Sequence, residues 1–491
     1  MNKKALSLAI ILSMATTGAF ATDVVSTSVN NSAKLSKYQK EAVQLTQKQL
    51  AQKAAQDAKT YESSIALNEA NTVALALANN RTAKQSMWSY EASKANVSQV
   101  AAGKNPIASY SLETGRSWQN AVSGSSVSKS GAQGVSLKVP VFSPELDAKI
   151  DGARYSREAD GAAYEEALQQ AKYDAINGYY TLIMNRNLVE VANQAVRDYQ
   201  GHVDNVNAQY NVGLVANSDV LAANTNLAES QTTLVERQNT ANLSEANLNN
   251  VIGYPVQTVI TTAEQNLQYR PYNVTLEQAK AYAMLHRSAL VKSAMSVKQA
   301  EASLKSAKSG YLPTIQATAS RSFATKADYF NYNSNEWSIG AAASWSIWDG
   351  GATQNAIKQA EANLEKAKEA NLAAVDSVNL AVQQAYLNLR SAEQTIASTQ
   401  TAVAQGQENF RIATLRYRAG VGTNLDVLDA ETTLTTARNN YVQALYKYNV
   451  SIAALEQATG IPLETPVGEG AVVIANSAAE AELAALSNTR N

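Results

Sequence analysis

The sequence predicts a mainly α chain with a membrane β part, built from two copies of one strand–strand–long-helix unit. Three observations carry that prediction. One constant shift of 207 residues lays Pro106 on Pro313, Tyr210 on Tyr417, Gly213 on Gly420, Asp219 on Asp426, Gly253 on Gly460 and Pro255 on Pro462. A single shift that fits so many landmarks is the mark of a tandem duplication. Each copy also holds two short stretches of period-two alternation, the pattern of a strand with one apolar face. Finally, each copy holds roughly 65 residues without proline, about 100 Å of helix at 1.5 Å per residue. All 8 prolines fall at element boundaries or in connectors, as uninterrupted helices require.

The chain has 491 residues, with 41 basic and 42 acidic side chains and no cysteine. Disulfides, thiol catalysis and thiolate metal sites are excluded. The balanced charge gives no electrostatic footprint for nucleic acid. Residues 1–21 read as a secretory signal peptide: Lys3 and Lys4, the apolar run Ala5 to Met14, then Ala19-Phe20-Ala21 before Thr22. No later segment has the apolar length of a membrane helix, so any crossing must use strands. Residues 22–60 form a polar N-terminal extension, read as either a solvated helix or a flexible arm.

The first repeat spans 61–255. A helix is expected from near Asn71 to Ala102, then strands at 106–118 and 132–142. Ala108, Tyr110 and Leu112 alternate with Ser109, Ser111 and Glu113; Val135, Leu137, Val139 and Val141 alternate with Ser136, Lys138 and Pro140. A long helix at 145–209 and a return helix at 219–252 complete the unit. Residues 256–276 connect the repeats. The second repeat, 277–462, has a helix, strands at 313–323 and 337–348, a long helix at 352–416 and a return helix at 426–459. Trp337 and Trp345 lie on its apolar face, with Trp348 at the strand end. Residues 463–491 form an acidic, Ala-rich tail. Loops are expected near 119–131 and 324–336.

The turns between long and return helices are the most distinctive segments. Val212-Gly213-Leu214 and Gly420-Val421-Gly422-Thr423 precede Asp219 and Asp426. Glycine ends helices, and Thr or Asp opens them. A helix of this length cannot bury its apolar stripe within one globule and needs partner helices along its whole length. Four strands cannot close a barrel, and open edges are not tolerated in lipid. Three chains supply twelve strands, so the pattern argues for a homotrimer if the strands are transmembrane. A soluble sandwich with a buried face is the other reading of the same alternation.

These features resemble the TolC-type outer-membrane efflux protein family. The resemblance is carried by the duplicated unit, by Pro140-Val141-Phe142-Ser143-Pro144 and Trp348-Asp349-Gly350-Gly351 before the long helices, and by the two turns. Asp426-Val427-Leu428-Asp429-Ala430 is the most specific segment. The resemblance implies a trimeric 12-stranded β-barrel in the outer membrane, continued by a long periplasmic α-helical barrel. It implies a periplasmic adaptor protein, an inner-membrane transporter and outer-membrane lipid as partners, and small molecules or unfolded proteins as cargo. It places an acidic entrance ring on Asp426 and Asp429, closing hydrogen bonds on Tyr417 and Asp219, and adaptor contact on Val212, Gly213, Leu214, Gly420, Val421, Gly422 and Thr423. The best-known members carry an arginine where this chain has Gly422. Either Arg416 or Arg418 substitutes for it, or closure is weaker.

Each residue also has a plainer reading. Asp219 and Asp426 stabilise a first helical turn by about 0.3–1 kcal/mol whatever else they do. Asp429 is less easily explained this way, because its repeat equivalent is Ala222. Tyr417 and Tyr210 can simply pack a last turn. His202 and His286 are isolated and read as surface or packing residues. No zinc motif, phosphate loop or dinucleotide fingerprint appears, so neither a cofactor nor an enzyme is expected. The rival functions are a secreted helical stalk or adhesin, and the periplasmic adaptor itself; the duplicated hairpin argues against the second.

Overall fold

The structure, a computed structural model, describes residues 42, 44–52, 64–121, 124–325 and 334–461. The expected signal segment, the tail and most of the 22–60 extension lie outside the described residues; residues 42 and 44–52 are helical. The first repeat runs β1 (Ser64–Leu67), α1 (Glu69–Asn79), α2 (Arg81–Ala101), β2 (Ile107–Ala121), β3 (Gly124–Phe142), α3 (Pro144–Asn211) and α4 (Asn217–Ile252). The connector contains β4 (Val259–Thr262). The second repeat runs α5 (Leu276–His286), α6 (Ser288–Lys308), β5 (Thr314–Thr325), β6 (Ser334–Ser344), α7 (Ala352–Arg418) and α8 (Asn424–Thr459).

The long helices match their expected bounds to within two residues. Their 68 and 67 residues give each a length of about 100 Å. Pro144 opens α3 at its first turn, where a missing N–H costs nothing. At α7 the Trp348-Asp349-Gly350-Gly351 segment does the same work differently. Gly350 and Gly351 adopt φ of 69° and 89°, and Asp349 accepts from the amides of Gly351 at 3.0 Å and Thr353 at 2.7 Å.

The single helix expected over 71–102 is instead two. It breaks at Asn80, whose ψ of 124° leaves the helical region and whose side chain caps α2 by accepting from the Ala83 amide at 3.0 Å. The second repeat breaks at the equivalent residue, Arg287. Each break lies against the end of a return helix. Asn79 donates to the Ile252 carbonyl at 3.1 Å, and Arg287 donates to the Gln457 carbonyl. The connector is also more structured than expected, because β4 pairs in parallel with β1, Ser64 opposite Val259.

β2, β3, β5 and β6 form one antiparallel sheet in that order. Among the described residues its two edges, β2 and β6, are unpaired, so these strands form an open sheet and no closed barrel. β2 and β3 run further than expected and take up much of the 119–131 loop. β6 is shorter than expected and ends at Ser344. Trp345 there donates from Nε1 to the Tyr311 carbonyl at 3.1 Å instead of continuing the ladder.

Opposed residues of an antiparallel ladder share a face. Leu137 faces Ala108 and Ala319, which in turn faces Ile339. One face therefore collects Tyr110, Leu112, Val135, Val139, Ala317, Trp337 and Ala341. The other collects Ser111, Ser136, Thr318, Ser320, Ser338 and Gly340. The alternation read in four separate strands thus becomes one continuous apolar face and one polar face.

The helices form two antiparallel hairpins, α3–α4 and α7–α8, joined through α3 and α8, with α2 and α6 packed on them near the sheet. The main core lies where α1, α3, α4, α5, α7 and α8 meet the β1–β4 pair, around Leu67, Tyr179, Leu182, Leu248, Ile260, Leu389 and Tyr448. A buried Lys172–Glu456 ion pair at 3.4 Å ties α3 to α8 there.

Candidate functional site at the helix turns

The far ends of the hairpins are built by the repeated turns. Gly213 and Gly420 adopt left-handed φ of 77° and 74°. The amides of Leu214 and Val421 return to the carbonyls of Gln209 and Arg416, at 2.9 and 3.0 Å. This is the glycine-terminated helix stop that the sequence led one to expect. Gly422 is different. Its φ is ordinary, but an added Cβ would lie 3.0 Å from the Tyr417 amide nitrogen and 3.1 Å from Arg416 Cβ. The backbone here leaves little room for any side chain at this position. Val212, Leu214 and Val421 project into solvent with 71, 73 and 69% of their surface exposed.

Thr423 and Asp426 form a complete capping box at the start of α8. Thr423 Oγ1 accepts from the Asp426 amide at 3.2 Å, and Asp426 Oδ2 accepts from the Thr423 amide at 2.9 Å. These bonds hold the Asp426 carboxyl below its ordinary pKa, and the positive charge of Arg416 adds a smaller pull in the same direction. Of the two candidate arginines, Arg416 is the one that acts on this acid. Asp429 is exposed one turn further on. No hydrogen bond or salt bridge among the described residues engages its carboxylate, so the helix start does not account for it.

Tyr417 and Asp219, on which the resemblance places closing hydrogen bonds, both lie at this end of the hairpins. Tyr417 is buried, and its hydroxyl has no hydrogen-bond partner among the described residues. Burial, with the Asp219 charge nearby, raises its pKa. Tyr210, its repeat equivalent, is largely exposed. Close to the turns, the two hairpins are joined by bonds from Gln209, Asn424 and His202. Gln209 Nε2 donates to the Tyr417 carbonyl at 3.3 Å. Asn424 Nδ2 donates to the Asp219 carbonyl at 3.2 Å. Asn424 Oδ1 lies 2.6 Å from His202 Nε2. With the Asn424 amide nitrogen committed to a carbonyl, its oxygen is the acceptor and His202 Nε2 carries the proton.

His202 is buried, stands edge-on to the Tyr417 ring at 5.1 Å, and is held below its ordinary pKa chiefly by burial. Of the two readings its isolation allowed, surface or packing, the packing one holds for His202. Ala195, Tyr199, His202 and Val206 recur at helical spacing, and that stripe could have placed it inside. Glu431 was missed for the same reason, since Val427, Glu431 and Leu434 share one face. It is 1% exposed, accepts from Thr435 Oγ1 at 2.8 Å, and is pushed up to about 7 by burial, with Asp198 adding repulsion.

The family model described as outer membrane efflux protein matches residues 72–254 and 281–461, one match to each repeat. The chain belongs to the outer membrane efflux protein family. It is 25% identical over 273 residues to the outer membrane protein TolC of Escherichia coli, covering 52% of this chain and 55% of that protein. It is 22% identical over 425 residues to the alkaline protease secretion protein AprF of Pseudomonas aeruginosa, covering 82% of this chain and 86% of that one. The matches to TolC of E. coli and to two further relatives, the Salmonella enteritidis TolC and the Brucella suis BepC, span less than two thirds of those proteins. The fold matches that of VceC from Vibrio cholerae with a TM-score of 0.69 at 17% identity, covering 79% of this chain and 95% of that one. As a member of this family the protein is assigned to the outer membrane.

Proposed function

We propose that the chain is the outer-membrane exit duct of a tripartite export system. Three copies close twelve strands into a barrel, and their hairpins continue it as a periplasmic tube gated at the helix turns. The observation that carries this reading is the open four-stranded sheet, apolar on one face and polar on the other, continuous with two hairpins about 100 Å long. Unpaired edges in lipid require more copies, and the Ser/Thr/Gly face then lines an aqueous lumen. The relatives include a protease secretion protein and a cation efflux protein, so their names do not select one cargo. Small molecules or unfolded proteins both suit the unspecialised polar lining.

In this reading Asp429 of the three copies forms an acidic ring at the entrance, with Asp426 fixed beside it by its cap. The exposed Val212, Leu214 and Val421 offer apolar contacts to a periplasmic adaptor, which in turn links the duct to an inner-membrane transporter. The His202–Asn424–Asp219 chain and the Gln209–Tyr417 bond hold the two hairpins of one copy together. They replace the arginine link missing at Gly422. Parting the hairpins breaks these bonds but hydrates His202 Nδ1, Thr414 Oγ1 and Tyr417 Oη, all buried without partners. Because unsatisfied buried groups are costly, closure held this way is readily reversed.

Single-channel conductance in a planar bilayer tests the reading. We expect a pore that a multivalent cation on the turn side blocks in wild type and blocks less in Asp429→Ala. Equal block in both would remove the acidic ring and keep the duct. A folded sample without a pore would sink the duct and favour a structural stalk.

A further inference from the structure

The charged residues of the sheet are sorted between its two faces. The register pairs Arg116 with Lys129, and Arg321 with both Val135 and Trp337. All three cations therefore stand on the apolar face. The described acids of these strands, Glu113 and Glu336, stand on the polar face with Lys138. The sorting extends along the strands. Arg116, Lys129 and Arg321 all lie in the halves nearer the hairpin turns, the end farthest from the helices, together with Trp118, Phe323 and Trp337. The half nearer the helices has Trp345 and Trp348 around its end and no cation on the apolar face.

A cation facing lipid is costly at mid-depth and tolerated only near an interface. Arg116 and Arg321 at one end, with no acid of the described strand residues beside them on that face, suit an anion from outside the chain. Arg321 is built to receive one. Its guanidinium lies 4.8 Å from the ring centroids of both Phe323 and Trp337, and its Nε donates to Asn335 Oδ1 at 3.2 Å. These contacts fix the plane of the group and leave its Nη edge for a bidentate oxyanion. Arg116 sits similarly against Trp118, 5.1 Å from the ring.

We infer that the apolar face of the sheet, at its hairpin-turn end, binds phosphate-bearing lipid headgroups through Arg321 and Arg116, with the flanking aromatic rings resting on the sugar or acyl boundary. The inference rests on the reading that this face meets lipid. The turn end lies on the side of the membrane away from the helices, so the lipid is that of the outer leaflet, a glycolipid phosphorylated on its head.

The test uses the full chain in phosphatidylcholine vesicles containing a minor fraction of diphosphorylated lipid A, its dephosphorylated form, or inorganic phosphate alone. Lipid retained by the protein after detergent washing is measured, and insertion is followed separately by flotation and protease protection. We expect retention of lipid A over its dephosphorylated form. We expect about a fivefold loss for each of Arg321→Gln and Arg116→Gln, and partial rescue by Arg321→Lys, which keeps the charge but not the fork. Equal retention by wild type and the double variant, or no preference for the phosphorylated lipid, would overturn the headgroup site while the membrane reading stands. Displacement of the lipid by inorganic phosphate at equal concentration would also overturn it, leaving a plain anion site. Failure of wild type to insert at all would remove the lipid-facing reading and the headgroup site with it.

Discussion

At the scale of single residues, two buried titratable groups near the turns make opposite predictions. His202 is neutral and depressed by burial. Its contribution is fully present above the ordinary histidine value of about 6.5, and is lost as pH falls through the lower folded value. Acidification should therefore place a charge on the buried, unpartnered Nδ1 side of the ring, which keeps the bond to Asn424 but favours hydration and parting of the hairpins. We expect conductance to rise as pH falls below the ordinary histidine value of about 6.5, and His202→Gln, which keeps a donor but does not titrate, to flatten that rise. An unchanged pH profile in the variant would assign the response elsewhere. Glu431 works the other way. Its folded value of about 7 stands above the ordinary 4.5, so stability is fullest below about 4.5 and is lost as pH rises to about 7. The cost at higher pH is on the order of 3 kcal/mol. Glu431→Gln should raise the thermal unfolding midpoint at pH near 8 and leave it nearly unchanged near pH 4. Both effects come from burial between packed helices.

At the scale of elements, the duplicated glycines are not equivalent in what surrounds them. Gly213 and Gly420 are left-handed with nothing close to an added Cβ, so alanine there meets only backbone strain, about 1 kcal/mol. Gly253 and Gly460 are also left-handed. An added Cβ at Gly253 would lie 2.6 Å from Asn79 Cβ, and at Gly460 2.9 Å from the His286 carbonyl oxygen. Gly253→Ala and Gly460→Ala should therefore cost about 2–3 kcal/mol, clearly more than Gly213→Ala, in denaturant unfolding of the same background. Equal costs would mean that the return-helix ends separate from the breaks at Asn80 and Arg287 more easily than the packing suggests. Asp426→Ala should cost about 1 kcal/mol through loss of the capping box. Asp429→Ala should leave stability unchanged, so a conductance effect of the latter cannot come from unfolding.

At the scale of the whole molecule, the unpaired edges β2 and β6 must meet in neighbouring copies for the barrel to close. The chain has no cysteine, so engineered thiols report without background. Single cysteines scanned along β2 and β6 in pairs should form inter-chain disulfides at one register, giving a ladder that ends at three linked chains. Links confined to one chain, or a ladder that continues past three, would exclude the twelve-stranded closure.

Much of this molecule is local, and what is local was readable. The constant shift of 207 residues fixed the duplication. Proline placement fixed the two long helices, and glycine followed by Thr or Asp fixed their turns, because each depends on backbone conformation over a few residues. The paired strands could be read for the same reason, since period two is a property of each strand alone. The strand order, with β3 joining the two hairpins of the sheet, is not in any one segment. Nor is the break at Asn80, which is matched to a return-helix end far along the chain. His202 and Glu431 show the limit most clearly. The sequence left His202 open between surface and packing and did not single out Glu431, yet the packing of α3 against α8 buries both. Burial depends on which helical faces meet across long sequence separations, and only the tertiary structure decides that.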